Sequence, residues 1–95
     1  MTAETATGPD LENLIPIAVV IAAGCEPCAE KMVRRALDQG NAVKDIRKTL
    51  SLVAHMQNLE CLAENVGPTV VARMEKPLAA GKRSLESELS QVGAQ

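Results

Sequence analysis

Ile17-Ala-Val-Val-Ile-Ala-Ala-Gly-Cys-Glu-Pro-Cys-Ala-Glu-Lys-Met32 is the stretch that decides the fold. Before Gly24 it is apolar at every position. The whole run from Leu14 to Ala23 is about half the length that a membrane span requires, so it reads as a buried helix. Gly24 interrupts that helix, and Cys25 stands where a second one begins. At a helix N-terminus the first sulfur of a Cys-x-x-Cys pair meets unpaired backbone N–H groups and the positive end of the helix dipole, both of which favour thiolate over thiol. Cys28 follows one turn later, near enough to close a disulfide once the other sulfur has been attacked or oxidised. Pro27 is tolerated between them because a first-turn N–H has no partner in the helix. Lys31 is either a nearby cation able to favour a thiolate or a solvated side chain.

Upstream, residues 1–9 show no apolar spacing and are expected to be a flexible lead-in. Asp10 can cap a first helix in which Leu11, Leu14, Ile15, Ala18, Val19 and Ala22 recur at helical spacing, while Ile17, Val20 and Ile21 add apolar positions on the other side. Such a helix is expected to be covered on two faces. Pro16 removes one backbone hydrogen bond and clashes one turn back, so the helix either kinks there or begins near Leu14.

Downstream, Cys25 to Gln39 forms the second helix, with Cys28, Ala29, Met32, Val33, Ala36 and Leu37 inward, and Gly40 stops it. Asn41 can cap a third helix that runs to about Asn58 on an apolar face of Val43, Ile46, Leu50, Val53 and Ala54, with Asp45 favourable in its first turn. Lys44, Arg47 and Lys48 mark its solvated face. Leu59 to Val66 is a short helical continuation. Gly67-Pro68 restarts the chain as a fourth helix through about Leu78, with Val71 and Met74 inward, and Gly81 ends it. From Lys82 onward the pattern is mostly polar, with Leu85, Leu89 and Val92 spaced as a weak helix that docks on a neighbouring subunit or frays. The expected architecture is all-α, a compact unit of about five helices over residues 10–81, between the lead-in at 1–9 and a C-terminal tail at 82–95.

Ninety-five residues make one domain, and at that size the fraction of surface buried on folding is modest, so a partner subunit would help. The chain is 46% hydrophobic yet has no Phe, Trp or Tyr, which leaves Ala, Val, Ile, Leu and Met to fill the core and suits closely approaching helices. A net charge of −2, without clustered Lys and Arg or stacking aromatics, argues against a nucleic-acid surface. Met1 to Asp10 lacks the basic region and contiguous apolar core of a secretory signal, so the chain is expected in the reducing cytoplasm, with no membrane segment.

Three cysteines cannot close a disulfide framework. In a reducing compartment the Cys25, Cys28 pair suggests exchange chemistry or metal ligation, beside the plainer alternative of two small buried hydrophobes. For metal ligation the remaining candidates are His55 and Cys61, six positions apart and a whole helix away from the pair, whereas a structural zinc site shows a second closely spaced pair. Neither a metal nor a cofactor is therefore expected. Cys61 is expected in the core or at a subunit interface. Met32, Met56 and Met74 read as core fillers, with soft metal ligation as the functional alternative for Met32. His55, the single histidine, sits beside the apolar stripe of the third helix.

Together with Arg35-Ala-Leu-Asp-Gln-Gly40 and Val43 to Ala54, the opening stretch resembles the carboxymuconolactone decarboxylase superfamily, in particular its alkylhydroperoxidase D-like branch. The pattern of helix, Gly-Cys-x-x-Cys, helix, Ala-Leu-x-x-Gly and another amphipathic helix covers roughly residues 11–80. The resemblance implies an all-helical unit that assembles as a homo-oligomer, a trimer or a hexamer. It also implies a hydroperoxide or disulfide substrate and a lipoyl or thioredoxin-like reductant. Peroxidase members of the branch couple the cysteines to a His four residues after the second Cys and to a Glu about twelve before the first; here those positions hold Met32 and Asn13. Met32 cannot carry a proton, so the base that would ionise the attacking thiol is missing. Glu12, adjacent to Asn13, is a candidate stand-in for the carboxylate, and His55 is a candidate base if the third helix turns it toward Cys28.

The expected function is thus a thiol-disulfide oxidoreductase that cycles Cys25 and Cys28 and reduces peroxides, with Glu12, Lys31 and His55 as relay or modulating residues. The alternative is a non-catalytic oligomeric scaffold or binding protein that keeps the fold and has lost the relay, for which Met32 and Asn13 speak. A decarboxylase or lactone-processing enzyme, like the superfamily's name-giving members, is disfavoured by the Cys-x-x-Cys pair, which does not mark them.

Overall fold

Capping groups and apolar spacing set the helix boundaries in the computed structural model, which describes the backbone of residues 10–93 and the side chains of residues 10–90. The lead-in expected at 1–9 lies outside the described residues. Asp10 opens α1 (Leu11–Ala22): one carboxylate oxygen accepts the Glu12 N–H at 3.2 Å and the other accepts from the Asn13 side-chain amide at 2.7 Å. With that cap α1 starts ahead of Leu14 and carries Pro16 inside it; the N–H that Pro16 lacks would have bonded the carbonyl of Glu12. Leu14, Ile17 and Ile21 face inward. Leu11, Ile15 and Val19 are each more than half exposed, so the cover expected on a second face of α1 is not provided by the described residues.

Gly24 ends α1 with φ at +81°, and the N–H groups of Gly24 and Cys25 return to the carbonyls of Ile21 and Val20, each at 3.0 Å. This Schellman arrangement satisfies the last carbonyls of α1. It also delivers Cys25 to the mouth of α2 (Glu26–Asp38). Ala29, Val33 and Ala36 of α2 are buried, and Cys28, Met32 and Leu37 flank them half-buried. Gly40, with φ at +89°, ends α2 in the same way, the Asn41 N–H reaching the Ala36 carbonyl at 3.0 Å.

That turn leaves Asn41 one residue short of the cap of α3 (Val43–Gln57), so the cap position falls to Ala42, which makes no side-chain cap bond. Asn41 instead donates its amide to the Asp10 carbonyl at 3.3 Å, tying the loop to the start of α1. Ile46, Leu50 and Val53 are the buried face of α3, as their spacing implies. Two short helices follow, α4 (Glu60–Val66) and α5 (Pro68–Ala72), neither with a buried residue. Gln57 donates its side-chain amide to the Val71 carbonyl at 3.1 Å and fastens α5 to the end of α3.

The fourth helix expected from Pro68 to Leu78 breaks at Arg73 and Met74, and a new helix, α6 (Glu75–Gly93), runs through Gly81. Gly81 is therefore no terminator. A Cβ there would meet Leu50 Cδ2 at 3.2 Å and Val33 Cγ2 at 3.6 Å, so the bare backbone lets α6 lie close against α2 and α3. Leu85, only 1% exposed, joins the core and Leu89 packs against it. The tail expected from residue 82 is thus, through residue 93, the continuation of α6 docked on its own chain. Val92's side chain lies outside the described set.

α2 lies between α6, its most extensive contact, and α1, with α3 packed against α1 and α6. Ile17, Ile21 and Ile46 are fully buried, each contributing about 1.5–3 kcal/mol by leaving water. The fold is all-α, with six helical segments and no strand among the described residues. Its extents of 41 × 38 × 17 Å make it a slab. The radius of gyration, 14.2 Å, exceeds the value of about 12 Å for a rounded chain of this length. Among the described residues no helix is long and apolar enough to cross a membrane.

Candidate redox site

Cys25 is the N-cap of α2, with φ −95° and ψ 102°, and its sulfur accepts the Cys28 N–H at 3.2 Å. The two are joined as a disulfide, their Cα atoms 5.2 Å apart, within the usual span of such a bridge. Both residues are half-buried. Pro27 falls in the first turn, where its missing N–H costs nothing to the helix. The pair follows directly on the Schellman turn at Gly24, and the backbone of Arg73 passes close to that turn, its carbonyl 3.6 Å from where a Cβ at Gly24 would stand. Next to it a cleft of about 440 Å³ is bordered by Gly24, Glu26, Arg73, Glu75 and Lys76.

Glu26, between the two cysteines, and Glu30, one turn on, both turn toward α6. The same nitrogen of Arg83 lies 3.3 Å from Glu26 Oε2 and 4.0 Å from Glu30 Oε2. Ser84 adds a hydroxyl bond to the Glu30 carbonyl at 3.4 Å. The Arg83 and Glu26 side chains are 62% and 43% exposed, so the pair adds little to stability, but it places one cation beside the cysteine turn. Sequence reasoning missed Arg83 because it falls after Gly81. Had the Leu85, Leu89 stripe been extended back through Gly81 as one helix, Arg83 would have come out on the flank of the face that meets α2.

No family model matches the chain, and no curated protein or solved structure matches it. The chemistry of the site rests on its own residues.

Of the candidates named with the cysteines, Glu12 is exposed in the first turn of α1, Lys31 is exposed on α2, and His55 is exposed on the side of α3 opposite the buried Val53. None of the three makes a hydrogen bond or ion pair with Cys25 or Cys28 among the described residues. Asn13 is buried at 7% exposure, its amide taken up by the Asp10 carboxylate. Met32 is half-buried beside the core, and Met74 is buried. Cys61 is a free, exposed thiol rather than a core residue, because α4, which carries it, buries none of its side chains. Among the described residues no three His, Cys, Asp or Glu side chains are grouped as a metal site would need.

Met56, expected as a core filler, is 47% exposed. It lines a groove of about 490 Å³ between α1 and α3, together with Leu11, Ile15, Ala18, Leu52 and Leu62. Thr49 is the polar residue of that lining, and its hydroxyl is spent on the Asp45 carbonyl at 2.9 Å. The groove therefore offers hydrocarbon alone.

Proposed function

We propose that this chain is a thiol-disulfide oxidoreductase of the alkylhydroperoxidase D-like type, with hydroperoxide as oxidant and a dithiol as reductant. The observation that carries the proposal is the Cys25 sulfur acting as cap of α2 with Cys28 bonded to it one turn on. In the reduced state Cys25, as thiolate, attacks the outer oxygen of the hydroperoxide. The O–O bond breaks, Cys25 becomes a sulfenic acid, and the alkoxide takes a proton from water and leaves as alcohol. The Cys28 sulfur then attacks the Cys25 sulfur and loses its proton, water departs, and the disulfide forms, two electrons having passed from the two thiols to the peroxide. A dithiol of the lipoyl or thioredoxin kind restores both thiols by exchange. With Met32 in place of a proton-carrying side chain, solvent supplies and takes the protons.

The reading extends to the partner. A slab 17 Å thick with Leu11, Ile15, Val19, Leu52 and Met56 in the open favours a homo-oligomer, trimer or hexamer, closed by second copies of the chain on the α1 and α3 groove. The cytoplasm, where dithiol reductants are supplied, is the compartment that suits it. The same open groove, with Met32 and Asn13, favours a second reading, an oligomeric scaffold without turnover.

Steady-state consumption of an organic hydroperoxide with dihydrolipoamide separates the two. The oxidoreductase reading expects turnover that Cys25→Ser and Cys28→Ser each abolish. A rate equal to that of the doubly substituted chain leaves the scaffold.

A further inference from the structure

We propose that Arg83 is a positioning residue for the cysteine pair, a cation delivered by α6 that holds and neutralises Glu26 and Glu30 so that the reduced Cys25 sulfur ionises beside them. The inference rests on the redox reading above, since it concerns the dithiol form of that site.

When the disulfide opens, the first turn and a half of α2 carries three groups of negative character, the Cys25 sulfur and the carboxylates of Glu26 and Glu30. Cys25 and Glu26 stand where the helix terminus favours negative charge, and Glu30 follows one turn later. Neighbouring like charges oppose one another's ionisation, and a thiol, the weaker acid, yields before a carboxylate does. Without compensation, Glu26 and Glu30 would oppose the thiolate that the helix terminus favours.

The compensating charge comes from elsewhere in the chain. Arg83 places one nitrogen 3.3 Å from Glu26 and 4.0 Å from Glu30, so a single guanidinium serves both carboxylates. The Ser84 hydroxyl on the Glu30 carbonyl, at 3.4 Å, fixes the register of α6 against α2 at that level. The other charged groups around the turn are Lys31 on α2, Arg34 and Glu88, which border one cleft with Glu30 and Arg83, and, at the junction of α5 and α6, Arg73, Glu75 and Lys76. The last turn of α1 brings none, being Val19-Val20-Ile21-Ala22. Arg83 alone among these cations is fixed by carboxylates of the cysteine turn, among the described residues. In a chain with Met32 where a base would stand, an electrostatic bias toward the thiolate does part of that base's work, without accepting a proton.

The test uses the full chain, reduced with a dithiol and freed of it, and follows iodoacetamide alkylation of Cys25 by peptide mass across pH 5–10. Removing one exposed charge in the neighbourhood of a thiol changes its thiolate population about twofold to threefold. Arg83→Gln is expected to slow alkylation by that factor at pH 7 and to move the profile to higher pH, with the plateau at high pH unchanged. Arg83→Lys and the double variant Glu26→Gln, Arg83→Gln are expected to return toward the parent profile. Arg47→Gln, which breaks the exposed 3.1 Å pair between Arg47 of α3 and Glu86 of α6, is the control and leaves the profile in place. Superimposable profiles for Arg83→Gln and Arg47→Gln overturn the proposal, as does a lowered plateau with no movement along the pH axis. A profile that moves as expected in a chain that peroxide fails to oxidise supports the positioning role and removes the peroxidase reading instead.

Discussion

The backbone N–H of Cys28 is bonded to the sulfur of Cys25 at 3.2 Å, so one atom both forms the disulfide and caps α2. The disulfide and the helix cap meet at that sulfur. In that cap position a negative acceptor is favoured by the helix terminus.

The two roles separate by substitution. Cys25→Ser keeps a capping oxygen, so under reducing conditions its stability is expected within about 0.5 kcal/mol of the parent, while Cys25→Ala loses about 1 kcal/mol. Urea unfolding of the reduced proteins measures this. An alanine variant as stable as the serine variant would remove the cap from the account.

Ile15 and Leu52 stand 56% and 55% exposed on the two walls of the apolar groove. Light scattering is expected to give a multiple of the 10.0 kDa chain mass for the parent and the single-chain mass for Ile15→Lys. The helical circular dichroism signal should persist. An unchanged mass for Ile15→Lys and Leu52→Lys alike would place the assembly surface elsewhere.

Gly81 supports close packing where a terminator was expected, and this too has a measurable consequence. Gly81→Val drives methyl groups toward Leu50 Cδ2, which a Cβ already meets at 3.2 Å, and should cost about 1–3 kcal/mol. A chain ending at residue 81 loses Leu85 and Leu89 from the core and should unfold without a cooperative transition. A truncated chain that melts like the parent would return residues 82–95 to the status of a tail.

The first three helices were legible because their signals are local. Asp10 as cap, glycines at residues 24 and 40, and apolar residues at helical spacing all act within a few residues of where they stand. What escaped depends on distant partners. Gly81 has the composition of a stop signal, and only Leu50 and Val33, from other helices, make it a packing residue. Asn41 has the chemistry of a cap, but the Gly40 turn carries it to Asp10. The cysteine pair was visible from spacing alone, whereas Arg83 is 57 residues from Glu26 and reaches it only because α6 continues past Gly81. The open face of α1 was hidden for the opposite reason: apolar spacing on two sides reads as burial on two sides, and Leu11, Ile15 and Val19 are left uncovered by the described residues.

Whether Cys25 and Cys28 form a working dithiol is read from intact-mass analysis of the reduced chain after one equivalent of an organic hydroperoxide. A working pair loses two hydrogens rapidly, the loss mapping to the peptide that holds Cys25 and Cys28 and being reversed by dihydrolipoamide. Oxidation no faster than a free-thiol control, or oxidation that begins at the exposed Cys61, would contradict it.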